Sequence, residues 1–168
     1  MVKIAICDDE EKSVALHERM VRECLQAAGI GCEITTYTQS RNLLYDITDD
    51  AFFYDLILLD IEMPGISGME LPQQIKGFLP NVRIIFVTSH TEYAIDAFEL
   101  SIFRYVPKNN LGAKLPAAVL DAARLIELEA GQEFDASSDR TNLEIKDESK
   151  VKVTFQKAEN DAGENFST

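Results

Sequence analysis

Asp60 follows an unbroken apolar run, Leu56-Ile57-Leu58-Leu59, and precedes Ile61-Glu62-Met63-Pro64-Gly65. A second acidic group, Asp8-Asp9, ends the run Val2-Lys3-Ile4-Ala5-Ile6-Cys7 in the same way. Carboxylates are hard oxygen donors of the kind Mg²⁺ prefers, in an octahedral shell that retains several waters. A carboxylate is also a nucleophile able to form a covalent intermediate. Two acidic clusters, each ending an apolar run, therefore point to a hard-cation site with one reactive aspartate.

Short apolar runs without polar alternation read as strands buried on both faces, as in a parallel sheet. Pro64 and Gly65 force a loop after Asp60. Open α/β sheets bind their ligands at the carboxyl ends of such strands. Around these two strands the pattern alternates. Glu10 to Ala28 carries Val14, Met20/Val21, Cys24/Leu25 and Ala28 at helical spacing, with Gly29 and Gly31 beyond. Cys32 to Thr38 reads as a strand, and Ser40 is placed to cap a short helix with Leu43, Leu44 and Ile47. A helix from about Gly68 to Lys76, ending before Gly77, follows the Asp60 loop. Asn81 to Val87 is another buried strand, ending at Thr88-Ser89. A helix holding Tyr93, Ala94, Ala97 and Phe98 leads to a short strand, Phe103 to Val106, stopped by Pro107. Leu111 to Ala130 is the last helix.

Five strands alternating with five helices imply a doubly wound α/β domain, its parallel sheet covered on both faces. Right-handed crossovers leave few topologies, of which the flavodoxin-like order 2-1-3-4-5 leads. Strands one and three are then neighbours, and Asp8, Asp9 and Asp60 meet at one edge. Beyond Ala130, residues 131–142 read as a polar linker. Leu143-Glu144-Ile145-Lys146 and Val151-Lys152-Val153-Thr154-Phe155 alternate at period two, a β-hairpin-like tail within 143–168.

The chain has 168 residues, 46% of them apolar, enough for one ordinary core and a remainder. A formal charge of −13 excludes nucleic-acid or anionic-membrane binding by bulk electrostatics. No apolar segment nears the roughly 20 residues a membrane span needs, and no signal peptide is visible. Cys7, Cys24 and Cys32 lack CxxC spacing, so reduced thiols and a cytoplasmic location are expected.

Together these residues resemble the receiver domain of two-component response regulators over about Met1 to Ala130, and the strand order above owes part of its standing to that resemblance. Asp8-Asp9 matches the family's acidic pair, Asp60 its phosphoacceptor, and Asp60-Ile61-Glu62-Met63-Pro64-Gly65 the surrounding loop. Thr88 matches the hydroxyl residue after strand four, Tyr105 the switch aromatic, and Lys108 the lysine after strand five. The resemblance implies a Mg²⁺ site of Asp8, Asp9, Asp60 and the Glu62 backbone carbonyl, and a phosphoryl group received on Asp60 from a sensor histidine kinase. Thr88 and Lys108 would bind the phosphoryl oxygens. Thr88 and Tyr105 would then switch the face of the fourth helix, fifth strand and fifth helix, which suits a homodimer. Glu62 and His90, each two positions beyond a site residue, are placed to tune hydrolysis of the acyl phosphate. One departure stands out: Asn109 follows Lys108 where the family usually has proline, and Pro107 precedes it. The loop carrying Lys108 is expected to differ slightly.

Tyr93-Ala94-Ile95-Asp96-Ala97-Phe98-Glu99 with Phe103-Arg104-Tyr105 is similar, more narrowly, to receivers of LytR/AlgR (LytTR) regulators, which carry an all-β DNA-binding domain next. The 143–155 hairpin looks like the start of such a domain, too short to complete it, so DNA is a partner only through an effector domain incomplete in this chain.

Taken singly, each residue has a plainer reading. Asp8-Asp9 could cap the first helix, Thr88 a strand end, and Lys108 could be a surface lysine. Tyr105 would be core in most folds, and His17 reads as a surface residue of the first helix. Their joint order, each at a strand end, favours the receiver. Two alternatives stand beside it. A haloacid-dehalogenase-type phosphatase also uses a strand-end aspartate, with Glu62 as its second acid, though such enzymes need a longer chain and a cap. A degenerate receiver would act as a binding module.

Overall fold

The computed structural model describes residues 1–65 and 69–133. The Val2–Cys7 strand (β1) leads to the Glu11–Ala27 helix (α1), the Cys32–Tyr37 strand (β2) and the Ser40–Thr48 helix (α2). The Leu56–Leu59 strand (β3) and Leu71–Phe78 helix (α3) follow, then Arg83–Thr88 (β4), Ala94–Glu99 (α4) and Arg104–Pro107 (β5). A final helix, α5, runs over 111–133. Single 3₁₀ turns, Thr91–Tyr93 and Lys108–Asn110, precede α4 and α5. All strand pairs are parallel, in the order β2-β1-β3-β4-β5. This is the flavodoxin-like arrangement expected from the sequence.

Successive side chains of a strand point to opposite faces, and in the central strands β1, β3 and β4 nearly every residue on both faces is buried. Ile4, Ile6, Leu56, Leu58, Ile85 and Val87 pack with Val21 and Leu25 of α1 and with Leu115, Val119 and Ala122 of α5. Ala5, Cys7, Ile57, Leu59, Ile84 and Phe86 pack with Leu43 and Ile47 of α2 and with Leu71 and Ile75 of α3. This double burial is why the strands read as continuous apolar runs.

Several boundaries differ from the sequence reading. Ser40 is the first residue of α2, with Gln39 as N-cap and no side-chain cap bond. Helix α3 runs through Gly77 to Phe78, and Pro72 lies in its first turn. A glycine inside a helix costs only about 1 kcal/mol; Pro80, two residues beyond Phe78, is the firmer stop. Pro107 belongs to β5, an edge strand where a missing N–H is tolerated. The expected start of α3 at Gly68 and the 143–155 hairpin lie outside the described residues.

One reading is overturned. His17 is not a surface residue: it is 2% exposed, on the buried face of α1 with Val14, Val21 and Leu25. The positions 14, 17, 21 and 25 fall at helical spacing. Burial holds the imidazole below its ordinary value of 6.5, against an opposing pull from Asp8. The unfolded chain therefore takes up a proton before the folded one does. Stability falls as pH drops from about 6.5 toward the folded-state value. Urea unfolding at pH 7.5 and 5.5 should show a smaller acid loss for His17→Leu than for the wild type. Equal losses would rule out a buried neutral imidazole.

Candidate functional site

Strand register assembles the site. β1 pairs with β3 so that Cys7 lies opposite Leu59. The next residue of each strand is an aspartate, and the Asp60 amide donates to the Cys7 carbonyl at 3.1 Å. β4 pairs with β5 so that Thr88 lies opposite Pro107, and Lys108 follows. Asp8, Asp60, Thr88 and Lys108, from four strand ends, thus lie together at the carboxyl edge of the sheet.

Ligand atoms of Asp8, Asp9 and Asp60 lie within 4.8 Å of one another. Asp8 and Asp60 are buried, whereas Asp9 is exposed. Lys108 Nζ donates to Asp8 Oδ2 at 2.6 Å and to Asp60 Oδ2 at 3.1 Å. Asp8 Oδ1 accepts from the Glu10 amide at 3.0 Å, a turn just ahead of α1, whose N-cap Glu10 makes no side-chain cap bond. Asp60 Oδ1 is buried without a hydrogen-bond partner. An orphaned buried carboxylate oxygen within a hard-oxygen cluster fits Mg²⁺. Asp8, Asp9 and Asp60 are the side chains that would hold it.

The charges act on one another. Partial burial and the anions of Asp8 and Asp60 raise the Asp9 pKa. Burial works against the Lys108 ammonium, but the Asp8 hydrogen bond and the Asp60 charge outweigh it and hold its pKa above the ordinary value. Cys7, under the cluster, is pushed up to about 12 by burial and then by Asp8, Asp60 and Asp9. Its Sγ lies 3.6 Å from Met63 Sδ, an apolar floor to the site. Lys108 reaches both aspartates with Pro107 before it and Asn109 after it, from the first position of a 3₁₀ turn.

A second group of residues adjoins the first. Thr88 is fully buried, and its Oγ1 accepts from the His90 amide at 3.2 Å. The Tyr105 hydroxyl donates to the His90 carbonyl, and its ring meets Phe86 edge-on at 6.4 Å. Burial, then the charges of Glu92 and Asp60, raises the Tyr105 pKa. The His90 ring lies between two carboxylates, Nε2 at 2.8 Å from Glu62 and Nδ1 at 3.1 Å from Glu92. Both contacts are full hydrogen bonds only when both nitrogens carry protons. Glu92 went unnoticed in the sequence, although it repeats the two-residue spacing that drew notice to His90.

The response regulator receiver domain family matches residues 4–120. The transcriptional regulatory protein NatR of Bacillus subtilis is 35% identical over 118 residues, covering 70% of this chain and 48% of NatR. The transcriptional regulatory protein YpdB of Escherichia coli is 30% identical over 112 residues, 64% of this chain and 41% of its own length. The chain thus spans about half or less of these curated relatives. Among solved structures, a receiver domain protein from Clostridium thermocellum superposes with a TM-score of 0.65 at 26% identity, covering 76% of this chain and 98% of that one. The response regulator TrrA of Thermotoga maritima, solved in complex with Mg²⁺-BeF, is 32% identical with a TM-score of 0.58, covering 73% of this chain and 99% of its own.

Lys108 is 19% exposed and its partners Asp8 and Asp60 2% and 9%, so its removal leaves buried charge uncompensated. Lys108→Met should cost about 3 kcal/mol of stability in metal-free buffer, the low end for breaking a buried pair. Millimolar Mg²⁺ should recover more stability in this variant than in the wild type, as measured by urea unfolding. No loss in metal-free buffer would show that the carboxylates do not depend on Lys108.

Proposed function

The chain belongs to the response regulator receiver domain family of two-component signalling, and on that premise we propose that it receives a phosphoryl group on Asp60 from a sensor histidine kinase. The observation that carries this reading is the pocket of Asp8, Asp9, Asp60 and Lys108, in which one buried Asp60 oxygen is unpartnered. A small domain has little reason to collect three carboxylates unless a cation and a reacting anion use them.

Asp60 attacks phosphorus through a carboxylate oxygen, forming an aspartyl phosphate as the bond from phosphorus to the donor breaks. Mg²⁺, when bound, supplies charge neutralisation and a template for in-line transfer. The proposed ligands are Asp8, Asp9, Asp60 and the Glu62 carbonyl. The related TrrA was solved in complex with Mg²⁺-BeF, which supports a Mg²⁺ site in a receiver of this kind. Lys108, already on Asp60, can turn its mobile ammonium to a phosphoryl oxygen. The Thr88 hydroxyl donates to another. Its withdrawal from the His90 amide loosens the contact through which Tyr105 is held, and Tyr105 can turn further inward.

The output face is α4, β5 and α5, and it forms a homodimer. Ile95 and Phe98 of α4 are 77% and 85% exposed, an apolar surface suited to a second copy. Glu62 and His90 tune the lifetime of the acyl phosphate, since their contact stands between Asp60's loop and the segment after Thr88. We assign the receiver to residues 1–130 together with the end of α5 through 133, which overlaps the start of the expected 131–142 linker, and the sequence beyond to the rest of that linker and the start of a LytTR-type effector. Tyr93–Glu99 with Phe103-Arg104-Tyr105 supports that type, and the transcriptional regulators NatR and YpdB support transcriptional output by a longer parent. No helix among the described residues is long and apolar enough to cross a membrane.

Incubation with Mg²⁺ and acetyl phosphate should add one phosphoryl group per chain by intact mass, and chelation or Asp60→Asn should abolish it. Turnover of a phosphomonoester without a stable adduct would overturn the reading. Glu62→Ala and His90→Ala, by opening a path for water, should each shorten the adduct's lifetime. Unchanged decay in both variants would remove them from any tuning role.

A further inference from the structure

Lys76 lies half-buried in the last turn of α3, and its ammonium crosses to the end of α4. Nζ donates to the Leu100 carbonyl at 3.0 Å and to the Ser101 carbonyl at 2.7 Å. These carbonyls belong to a turn that closes α4. In it, the Leu100 amide donates to Asp96 O at 3.2 Å, Ser101 to Phe98 O at 3.1 Å, and Ile102 to Ala97 O at 3.3 Å. Ser101 holds φ at +56°, a left-handed conformation that residues with a Cβ rarely adopt. Carbonyls at a helix C-terminus lack helical partners and carry the negative end of its dipole, so a cation there is stabilising. Burial holds the Lys76 pKa below its ordinary value, so the ammonium gives up water to reach these carbonyls.

The clamp matters because little else holds α4. The helix has six residues, and of these only Ala97 is buried. Its two ends are anchored to different parts of the molecule. The N-terminal side is reached through His90, whose amide, carbonyl and ring contact Thr88, Tyr105 and Glu62, all at or beside the acidic pocket. The C-terminal side is tied by Lys76 to α3, and Ile102 just beyond it packs into the core beneath.

We propose that Lys76 is a positioning residue that pins the C-terminal end of α4, so that the output face switches by pivoting about residues 100–102. Displacement is then confined to the 89–95 segment, where the pocket acts. The switch itself rests on the phosphorylation reading above, whereas the clamp belongs to the unmodified chain.

Hydrogen–deuterium exchange of the full chain tests both parts. In the unmodified protein, Lys76→Met keeps most of the aliphatic stem and should speed exchange at the amides of 100–102 by about fivefold. Lys76→Arg should restore them, and unchanged exchange in β1 and β3 should mark the variants as folded. With Mg²⁺ and acetyl phosphate, wild-type exchange should change at 89–95 and stay within about twofold at 100–102. In Lys76→Met both segments should change. Unaltered exchange at 100–102 in Lys76→Met, or wild-type changes as large at 100–102 as at 89–95, overturns the pivot. Absence of a phosphoryl group on Asp60 overturns the phosphorylation reading and the pivot with it. The comparison of unmodified chains would still decide whether Lys76 holds the turn.

Discussion

The parallel register of β1 against β3 is the constraint from which the rest follows. With Cys7 opposite Leu59, Asp8 and Asp60 must emerge side by side above an apolar floor. Two like charges about 4 Å apart repel by roughly 4 kcal/mol at an effective dielectric near 20. A fold that buries both needs a cation, and β5 delivers one: pairing Thr88 with Pro107 brings Lys108 over both carboxylates. The same arrangement leaves one Asp60 oxygen without a partner. The pocket is thus held together by its lysine yet incomplete, which is the condition for taking up a further cation and an anion.

Around this stiff pocket the contacts are weaker. The Glu62 and Glu92 carboxylates that flank His90 are 56% and 61% exposed. Polar contacts so open to solvent hold little energy. The bonds through the His90 backbone add direction rather than rigidity, whereas the Lys76 clamp fixes the far end of α4. The buried strands fix the chemistry within a narrow geometry, while α4, with Ile95 and Phe98 in solvent, is held by a few polar contacts that new charge at Asp60 can rebalance. Stability and responsiveness are assigned to different parts of the chain.

The sheet and the acidic pocket were legible because double burial writes itself as unbroken apolar runs, and the residue after each run is at the ligand-binding edge. Asp8 and Asp60 are read this way, whereas Thr88, at the end of its own run, and Lys108, one residue past Pro107, took their roles from the resemblance to receivers. Polar residues that break a pattern were misread. His17 sits at a position that helical spacing assigns to the core, but its chemistry suggested solvent, and only tertiary packing shows the imidazole buried with Val14, Val21 and Leu25. Gly77 looked like a helix stop, but α3 runs one residue past it to Phe78, since a single glycine costs only about 1 kcal/mol. Glu92 and Lys76 were missed for another reason. Their partners are set by loop geometry, and Lys76 meets carbonyls 24 and 25 residues away that no local pattern announces.

The central claim, that Asp60 with its neighbours forms one site for a divalent cation and a phosphoryl group, is tested most directly by fluorine-19 NMR with Mg²⁺ and beryllofluoride. Bound fluoride resonances should appear only when both are present, and should vanish on chelation or in Asp60→Asn. Their absence from the wild type, or their persistence in Asp60→Asn, would contradict it.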